Sequence, residues 1–182
     1  MAMDGLLAKG YKLGTPTEYL IHDKGLDPYI TDAQELLDLY GERIQYPTDF
    51  AIVNDGRKEI ALEDLPAEKL LVDIGKKTMA RYLEIINEAG TIFINGPLGI
   101  YEEPSSALGT ECLFSAVVES SGYSVIGGGD SVAAAVRFEV RDQLSYVCTS
   151  GGGMVRFLSG QELPVVEALR RSARRHRRAR AV

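Results

Sequence analysis

The sequence is poor in the residues that build metal and disulfide sites. It has two cysteines, Cys112 and Cys148, and two histidines among 182 residues. The cysteines lie on apolar patterns and not at the spacing of a zinc site, so we expect two small buried side chains of a cytosolic protein. Neither His22 nor His176 is near a glycine-rich segment, so the sequence indicates no histidine chemistry.

Long apolar runs are also absent. No stretch approaches the length of a membrane span, and the start, Met1 to Asp4, has no basic region followed by an apolar one. With 45% hydrophobic and 25% charged residues, the composition is typical of one globular domain. We therefore expect a cytoplasmic protein without a membrane partner.

Two common nucleotide motifs are missing. There is no Gly-x-x-x-x-Gly-Lys-Ser/Thr, which argues against a Walker-type NTPase, and no Gly-x-Gly-x-x-Gly that opens a helix, which argues against a dinucleotide fold. The chain does contain three other glycine-rich segments, each after a short apolar run: Asn95-Gly96-Pro97-Leu98-Gly99, Gly127-Gly128-Gly129-Asp130-Ser131 and Thr149-Ser150-Gly151-Gly152-Gly153. Glycine after a strand lets the backbone approach an anion, and the first amides of the next helix point at it.

From Leu70 onward the pattern is strand, loop, helix, four times over. Continuous apolar strands that alternate with helices predict an α/β fold: an open, mostly parallel, Rossmann-like sheet with helices on both faces. Parallel strands end on one side, so the glycine loops should meet at one crevice. The predicted strands are Leu70–Val72, Thr91–Ile94, Tyr123–Ile126 and Ser145–Cys148, and the predicted helices are Lys76–Ala89, Ala107–Ser120, Ser131–Phe138 and Met154–Leu158.

The first 70 residues carry weaker signals. Gly5 to Gly10 has the pattern of a helix end, and Thr31 to Gln34 resembles a capping box before a helix that Gly41 ends. A strand is expected over Ile44–Val53, interrupted at Pro47, and Asn54-Asp55-Gly56 should turn it into a hairpin with Lys58–Leu62.

Charge is distributed unevenly. No acid follows Glu167, whereas seven of the 20 basic residues do, namely Arg170, Arg171, Arg174, Arg175, Arg177, Arg178 and Arg180. Residues 1–169 therefore carry 13 bases against 26 acids. We predict a domain over 1–169 and an arginine-rich tail over 170–182, a solvated helical or disordered extension. No aromatic residue lies among the arginines for base stacking, so nucleic acid is not the expected partner.

The residues of the loops leave some roles open. Asp130 could cap the helix that follows it, or it could lie on the metal side of a bound polyphosphate, because a carboxylate beside phosphates is repulsive unless a cation such as Mg²⁺ lies between them. The segment from Thr149 to Gly153 has no charge, so its use would be its amides, which can surround an anion.

The chain resembles the carboxy-terminal half of phosphoglycerate kinase, of the archaeal branch. The resemblance covers roughly Leu7 to Leu169 and rests on the order and spacing of the three glycine segments. Lesser markers are Ala8-Lys9-Gly10, Tyr46-Pro47-Thr48-Asp49-Phe50, Val72-Asp73-Ile74-Gly75 and Leu163-Pro164.

The resemblance implies a site for ADP or ATP with Mg²⁺. Nucleotide contacts are expected from Asn95, Gly96, Pro97, Gly127, Gly128, Gly129, Asp130 and Ser131, with Asp130 on the metal side. Glu102 would accept from the ribose hydroxyls, although Glu103 is adjacent. Ser150, which replaces the family's usual threonine, and Gly151, Gly152 and Gly153 would hold the transferred phosphoryl group. Asp73 is expected to cap the following helix.

The resemblance also implies what is missing. The amino-terminal domain that holds phosphoglycerate is absent, together with the first strands of the nucleotide domain and their Gly-Gly-Ala-Lys lysines. The whole enzyme would convert Mg-ADP and 1,3-bisphosphoglycerate into Mg-ATP and 3-phosphoglycerate, and this chain alone should bind nucleotide without turnover. The alternative is a non-catalytic fragment that acts as an interaction module through its basic tail.

Overall fold

The computed structural model describes residues 2–179, which form a parallel and an antiparallel sheet with helices around them. The helices are α1 (Ala2–Ala8), α2 (Thr15–Asp23), α3 (Pro28–Tyr40), α4 (Lys76–Glu88), α5 (Leu108–Glu119), α6 (Gly129–Arg137), α7 (Gly151–Leu158) and α8 (Pro164–Ala179). The strands are β1 (Asp49–Val53), β2 (Arg57–Ala61), β3 (Asp73–Ile74), β4 (Thr91–Ile94), β5 (Tyr123–Gly127) and β6 (Tyr146–Cys148).

The parallel sheet has the order β4-β5-β6. Thr91 pairs with Tyr123, and Val125 pairs with Tyr146, so all three strands end on the same side. Below the sheet, Phe114 of α5 and Ile126 of β5 are almost fully buried in one apolar core. The predicted α/β class and the order of strand, loop and helix are confirmed.

The first of the four predicted strands belongs to another sheet. Leu70 to Val72 was expected in the parallel sheet, but β3 begins at Asp73 and pairs antiparallel with β1 in the order β2-β1-β3. The amide of Val72 already donates to the carbonyl of Ala51 at 2.9 Å. An apolar run shows that a strand is buried on both faces but not which strand it pairs with, so the sequence could not make this distinction.

The hairpin of β1 and β2 forms as predicted. Its turn places Asp55 at φ 51 and Gly56 at φ 105, a left-handed conformation that Asn, Asp and Gly tolerate best. β1 is shorter than expected. It begins only at Asp49, and Ile44 has an extended backbone but lies outside the strand.

The first helices differ in detail from the expectation. α1 ends as predicted, with Gly10 at φ 85 and its amide bonded to the carbonyl of Leu7. The capping box at Thr31 does not form, since α3 already starts at Pro28, whose fixed φ suits the first turn of a helix. α2 was not predicted at all.

A tertiary contact caps α4. Asp49 of β1 is 4% exposed, and its carboxylate accepts from the amides of Lys77 at 2.9 Å and Thr78 at 2.8 Å and from the Thr78 hydroxyl at 2.6 Å. The negative charge lies at the positive end of the helix dipole, where it is stabilising.

Replacing Asp49 by alanine should therefore lower the free energy of unfolding by about 2–4 kcal/mol, because two buried donors of Thr78 and the part-buried amide of Lys77 lose their acceptor. Chemical denaturation measures the change. Asp142→Ala is the matched control, since that carboxylate is 92% exposed and should matter by less than about 0.5 kcal/mol. A loss below about 1 kcal/mol for Asp49→Ala would show that α4 starts without this cap.

An open groove of about 360 Å³ lies along β4. Phe93, Ile94 and Asn95 line one part of it, and Arg43, which ends a 3-10 turn after α3, and Gln45 line another. β4 has a strand partner on one side only among residues 2–179, and Phe93 is 46% exposed. We call this space the β4 slot.

The carboxy-terminal helix is less packed than expected. We predicted that Leu163, Val166 and Leu169 would dock on the domain, but Val166 is 37% and Leu169 65% exposed. The division of the chain at 169 stays a prediction, and its last residues, 180–182, lie outside the described part. Within that part, no helix is long and apolar enough to cross a membrane.

Candidate functional site

The three glycine loops meet at the carboxyl edge of the parallel sheet. A Cβ placed on Gly151, at the start of α7, would lie 2.7 Å from the Cα of Gly128, at the start of α6. The amide of Gly96, after β4, donates to the Ser131 hydroxyl. The convergence that the strand pattern predicted is therefore present.

The start of α6 presents unpaired amides. Gly128 has φ 94, which favours glycine, and the helix begins at Gly129, earlier than the predicted Ser131. The first hydrogen bond of the helix runs from the Val132 amide to the Gly128 carbonyl at 3.0 Å. The amides of residues 129–131 thus have no carbonyl partner within the helix, and they lie at the positive end of its dipole.

Two residues of this loop have roles that the sequence did not show. Gly127 is the last residue of β5 and is buried, and a Cβ there would meet the Met154 side chain, so the glycine allows α7 to pack. Ser131 is 0% exposed, and its hydroxyl accepts from Gly96. Its side chain therefore holds the loop after β4 against α6.

Asn95 and Gly128 are in close contact. The side-chain oxygen of Asn95 lies 2.6 Å from the position that a Cβ on Gly128 would occupy, so a larger residue there would displace the Asn95 side chain. Asn95 and Gly96 are exposed, and Pro97 is half-buried. The loop after β4 therefore presents an amide side chain beside the free amides of α6.

The start of α7 repeats the arrangement of α6. Ser150 precedes the helix and accepts the first helical hydrogen bond, from the Met154 amide at 2.8 Å. The amides of Gly151, Gly152 and Gly153 have no earlier helical carbonyl to bind. Because Gly151 touches Gly128, the starts of α6 and α7 form one amide-rich surface, which we call the amide cradle (residues 128–131 and 150–153).

Carboxylates lie close to the amide cradle. Asp130 is exposed in the first turn of α6, and no side-chain cap hydrogen bond forms at that helix start. Burial raises the pKa of the Tyr101 phenol, and the charges of Glu102 and Asp130 raise it further. The two carboxylates therefore both lie near the Tyr101 side chain. Glu102 and Glu103 are both exposed, and the structure does not choose between them.

A preformed metal cage is absent from the described residues, which contain no group of three or more potential ligands. Magnesium typically takes one or two carboxylates and completes its shell with phosphate oxygens and water. A single exposed Asp130 beside an amide cradle fits that donor set.

The sequence analysis did not show the contacts that Asp73 and Arg57 make at the start of α5 and the end of β3. Asp73 was expected to cap α4, but it does not. Its carboxylate accepts from the Gly109 amide at 2.7 Å and so caps α5. Arg57 of β2 binds the same carboxylate at 2.8 Å and also donates to the Ile74 carbonyl at 2.7 Å. Arg57 and Gly109 are 16 and 36 residues away from Asp73 in sequence, so no local pattern could have shown these contacts.

The cysteines are half-buried, not buried as predicted, and both are free thiols. Burial raises the pKa of Cys112, with contributions from Glu111 and Asp73. A protonated thiol is a poor nucleophile, so this shift makes Cys112 less reactive.

Comparison with known proteins gives a consistent result. The sequence profile of the phosphoglycerate kinase family matches residues 1–161. The phosphoglycerate kinase of Methanopyrus kandleri is 39% identical over 165 residues, which are 90% of this chain and 41% of that protein. That of Methanococcus maripaludis is 40% identical over 174 residues, 94% of this chain and 42% of that protein.

Solved structures agree. The crystal structure of phosphoglycerate kinase from Pyrococcus horikoshii matches with a TM-score of 0.83 at 37% identity, over 93% of this chain and 43% of that one. The chain thus spans about two-fifths of the length of the relatives it matches. The resemblance seen in the glycine segments is confirmed, and the chain belongs to the phosphoglycerate kinase family.

Proposed function

We propose that the chain is the part of a phosphoglycerate kinase that binds ADP or ATP. The contact between Gly151 and Gly128 is the observation that carries this proposal, because it joins two helix starts into the amide cradle. Amides at helix starts favour anions, and two such starts side by side suit a polyphosphate. Asn95 reaches the same surface, and Glu102 is the acceptor for the ribose hydroxyls.

Magnesium would be held by Asp130 together with the nucleotide. The ion supplies charge neutralisation between the carboxylate and the phosphate oxygens. Asp130 is the group to hold it because it is exposed at the cradle and has no helix-capping bond.

Phosphoryl transfer would use the second half of the cradle. Ser150 and the amides of Gly151, Gly152 and Gly153 would surround the phosphoryl group as it moves between 1,3-bisphosphoglycerate and ADP. Transfer of this kind depends mainly on positioning and on stabilising charge, which fixed amides provide. The cytoplasm is the compartment that this function predicts.

The rest of the family's length would supply the acid-substrate site. This chain covers 41% of the Methanopyrus kandleri protein, and its β4 slot leaves a strand edge open beside the site. Strands from the rest of the family's length would pair with β4 in that slot.

Calorimetry with ADP tests the metal role. The chain should bind ADP more tightly with Mg²⁺ than without, and Asp130→Ala should remove most of that difference, about tenfold in Kd or ~1.4 kcal/mol. Asp130→Asn keeps the shape without the charge and should behave like the alanine variant. If both variants keep the full Mg²⁺ dependence, the metal is not held by Asp130.

A second candidate function is that of an interaction module without catalysis. The exposed apolar residues of α8 favour it, since Val165 and Leu169 are 71% and 65% exposed beside a run of arginines. Under this alternative the chain binds no nucleotide, so the same calorimetry separates the two.

A further inference from the structure

An acidic surface with an apolar floor lies on α3. A groove of about 490 Å³ runs beside this helix, and Tyr29, Leu36 and Tyr46 are among the side chains that line it. Tyr29 is 55% and Leu36 43% exposed. From residue 27 to residue 42 the sequence has five acids and no base: Asp27, Asp32, Glu35, Asp38 and Glu42. We call this surface the acidic groove.

The opposite chemistry is found on α8. Val165, Leu169 and Ala173 recur at a spacing of four residues, which places them along one face of the helix. Arginines at positions 170, 171, 174 and 175 are exposed beside this face. Glu167 is the one acid of the helix, so α8 is a basic helix with an apolar stripe.

We propose that α8 of one copy of this chain lies in the acidic groove of a second copy, and that the exchange is reciprocal. The apolar stripe would cover Leu36 and Tyr29, while the flanking arginines would meet the carboxylates of α3. Within one copy, both surfaces are exposed, and their opposite charges fit each other. Reciprocal exchange closes the assembly as a two-fold dimer.

The dimensions of the two surfaces match. The stripe from Val165 to Ala173 is about 12 Å long at the rise of an α-helix, and Tyr29 to Leu36 spans about 10 Å. A stable dimer buries about 1,200–2,000 Å² in total, and a reciprocal exchange supplies two helix-in-groove contacts toward it. Opposite charges along both contacts fix the orientation of the helix.

Sedimentation velocity on the full 182-residue chain without nucleotide tests the proposal. We expect a monomer of 19.9 kDa at low concentration and a species of twice that mass at high concentration. Because the flanking contacts are ionic and exposed, added salt should weaken the dimer. Hydrogen exchange in residues 171–179 should slow as the protein concentration rises.

Point variants locate the contact. Leu36→Glu and Leu169→Glu should each weaken the dimer at least tenfold, and a mixture of the two should regain heterodimer, since one intact contact remains possible. Tyr19→Glu is the control, as this side chain is 68% exposed on α2 and does not line the acidic groove. Circular dichroism checks that each variant folds.

A charge swap on exposed residues tests the orientation. Glu35→Arg and Arg170→Glu should each weaken the dimer, and the double variant should recover it.

A chain that stays monomeric at every concentration overturns the proposal. So does a dimer that survives both Leu36→Glu and Leu169→Glu, because another surface then forms it. Since nucleotide is left out, neither result depends on whether the amide cradle binds ADP.

Discussion

The purified 182-residue chain should show no measurable phosphoryl transfer between 1,3-bisphosphoglycerate and ADP, whereas the same chain fused to the remaining segment of an archaeal relative should turn over. The expected difference is between background and an ordinary kinase rate, about 1–100 s⁻¹. A coupled assay that follows ATP consumption in the presence of 3-phosphoglycerate measures both proteins.

Charge is the physical reason. A phosphoglycerate carries a carboxylate and a phosphate, which need clustered bases, and residues 1–169 hold 13 bases against 26 acids. The other seven bases follow residue 169, and the four of them whose side chains the structure describes, Arg170, Arg171, Arg174 and Arg175, are exposed. The fused segment would bring the missing site and would fill the β4 slot.

The fusion that carries Asp130→Ala is the control, because it keeps both halves and loses the metal contact. It should fold like the parent fusion and turn over far more slowly. Robust turnover by the isolated chain would contradict the prediction and would mean that another surface, or a second copy, holds the acid substrate.

Gly151→Ala should weaken the binding of Mg-ADP. The new Cβ would lie 2.7 Å from the Cα and 2.8 Å from the nitrogen of Gly128, whereas carbon contacts need about 3.5 Å. Both neighbours are backbone, so the starts of α6 and α7 must move apart. Overpacking of this kind costs about 1–3 kcal/mol, and a Kd for Mg-ADP at least ~10-fold weaker is expected as the cradle opens.

Two further glycines separate the steric effect from the substitution itself. A Cβ on Gly152, the next residue of α7, meets nothing within 4 Å, so Gly152→Ala should keep or raise the melting temperature. Gly90 is equally open but lies before β4, and Gly90→Ala should leave ADP affinity unchanged. If Gly151→Ala binds Mg-ADP like the parent chain, the two helix starts do not act as one site.

Local sequence was sufficient for the parallel sheet. Three short apolar runs, each followed by a glycine loop and a helix, predicted β4, β5 and β6 and the meeting of their loops, because parallel strands end on one side whatever their order. Helix starts were less certain. α6 begins at Gly129 and not at Ser131. Its N-cap is Gly128, which has no side chain to form a cap, so the usual polar signal of a helix start is absent there.

Contacts between residues that are distant in sequence could not be predicted. Ser131 was expected at the phosphates, and its burial against Gly96 became visible only in the fold. The same holds for Asp73, which faces a helix that begins 35 residues later. A hydrogen bond between residues far apart in sequence leaves no periodic pattern, so propensity and spacing cannot show it.

The caps that Asp49 and Asp73 provide also bear on how the protein opens. Both carboxylates belong to strands of the antiparallel sheet, and both hold helix starts elsewhere, α4 and α5. Neither helix start keeps its acceptor when these strands separate. The hairpin and the first turns of both helices should therefore open as one cooperative unit, and native-state hydrogen exchange should give their amides a single free energy of opening.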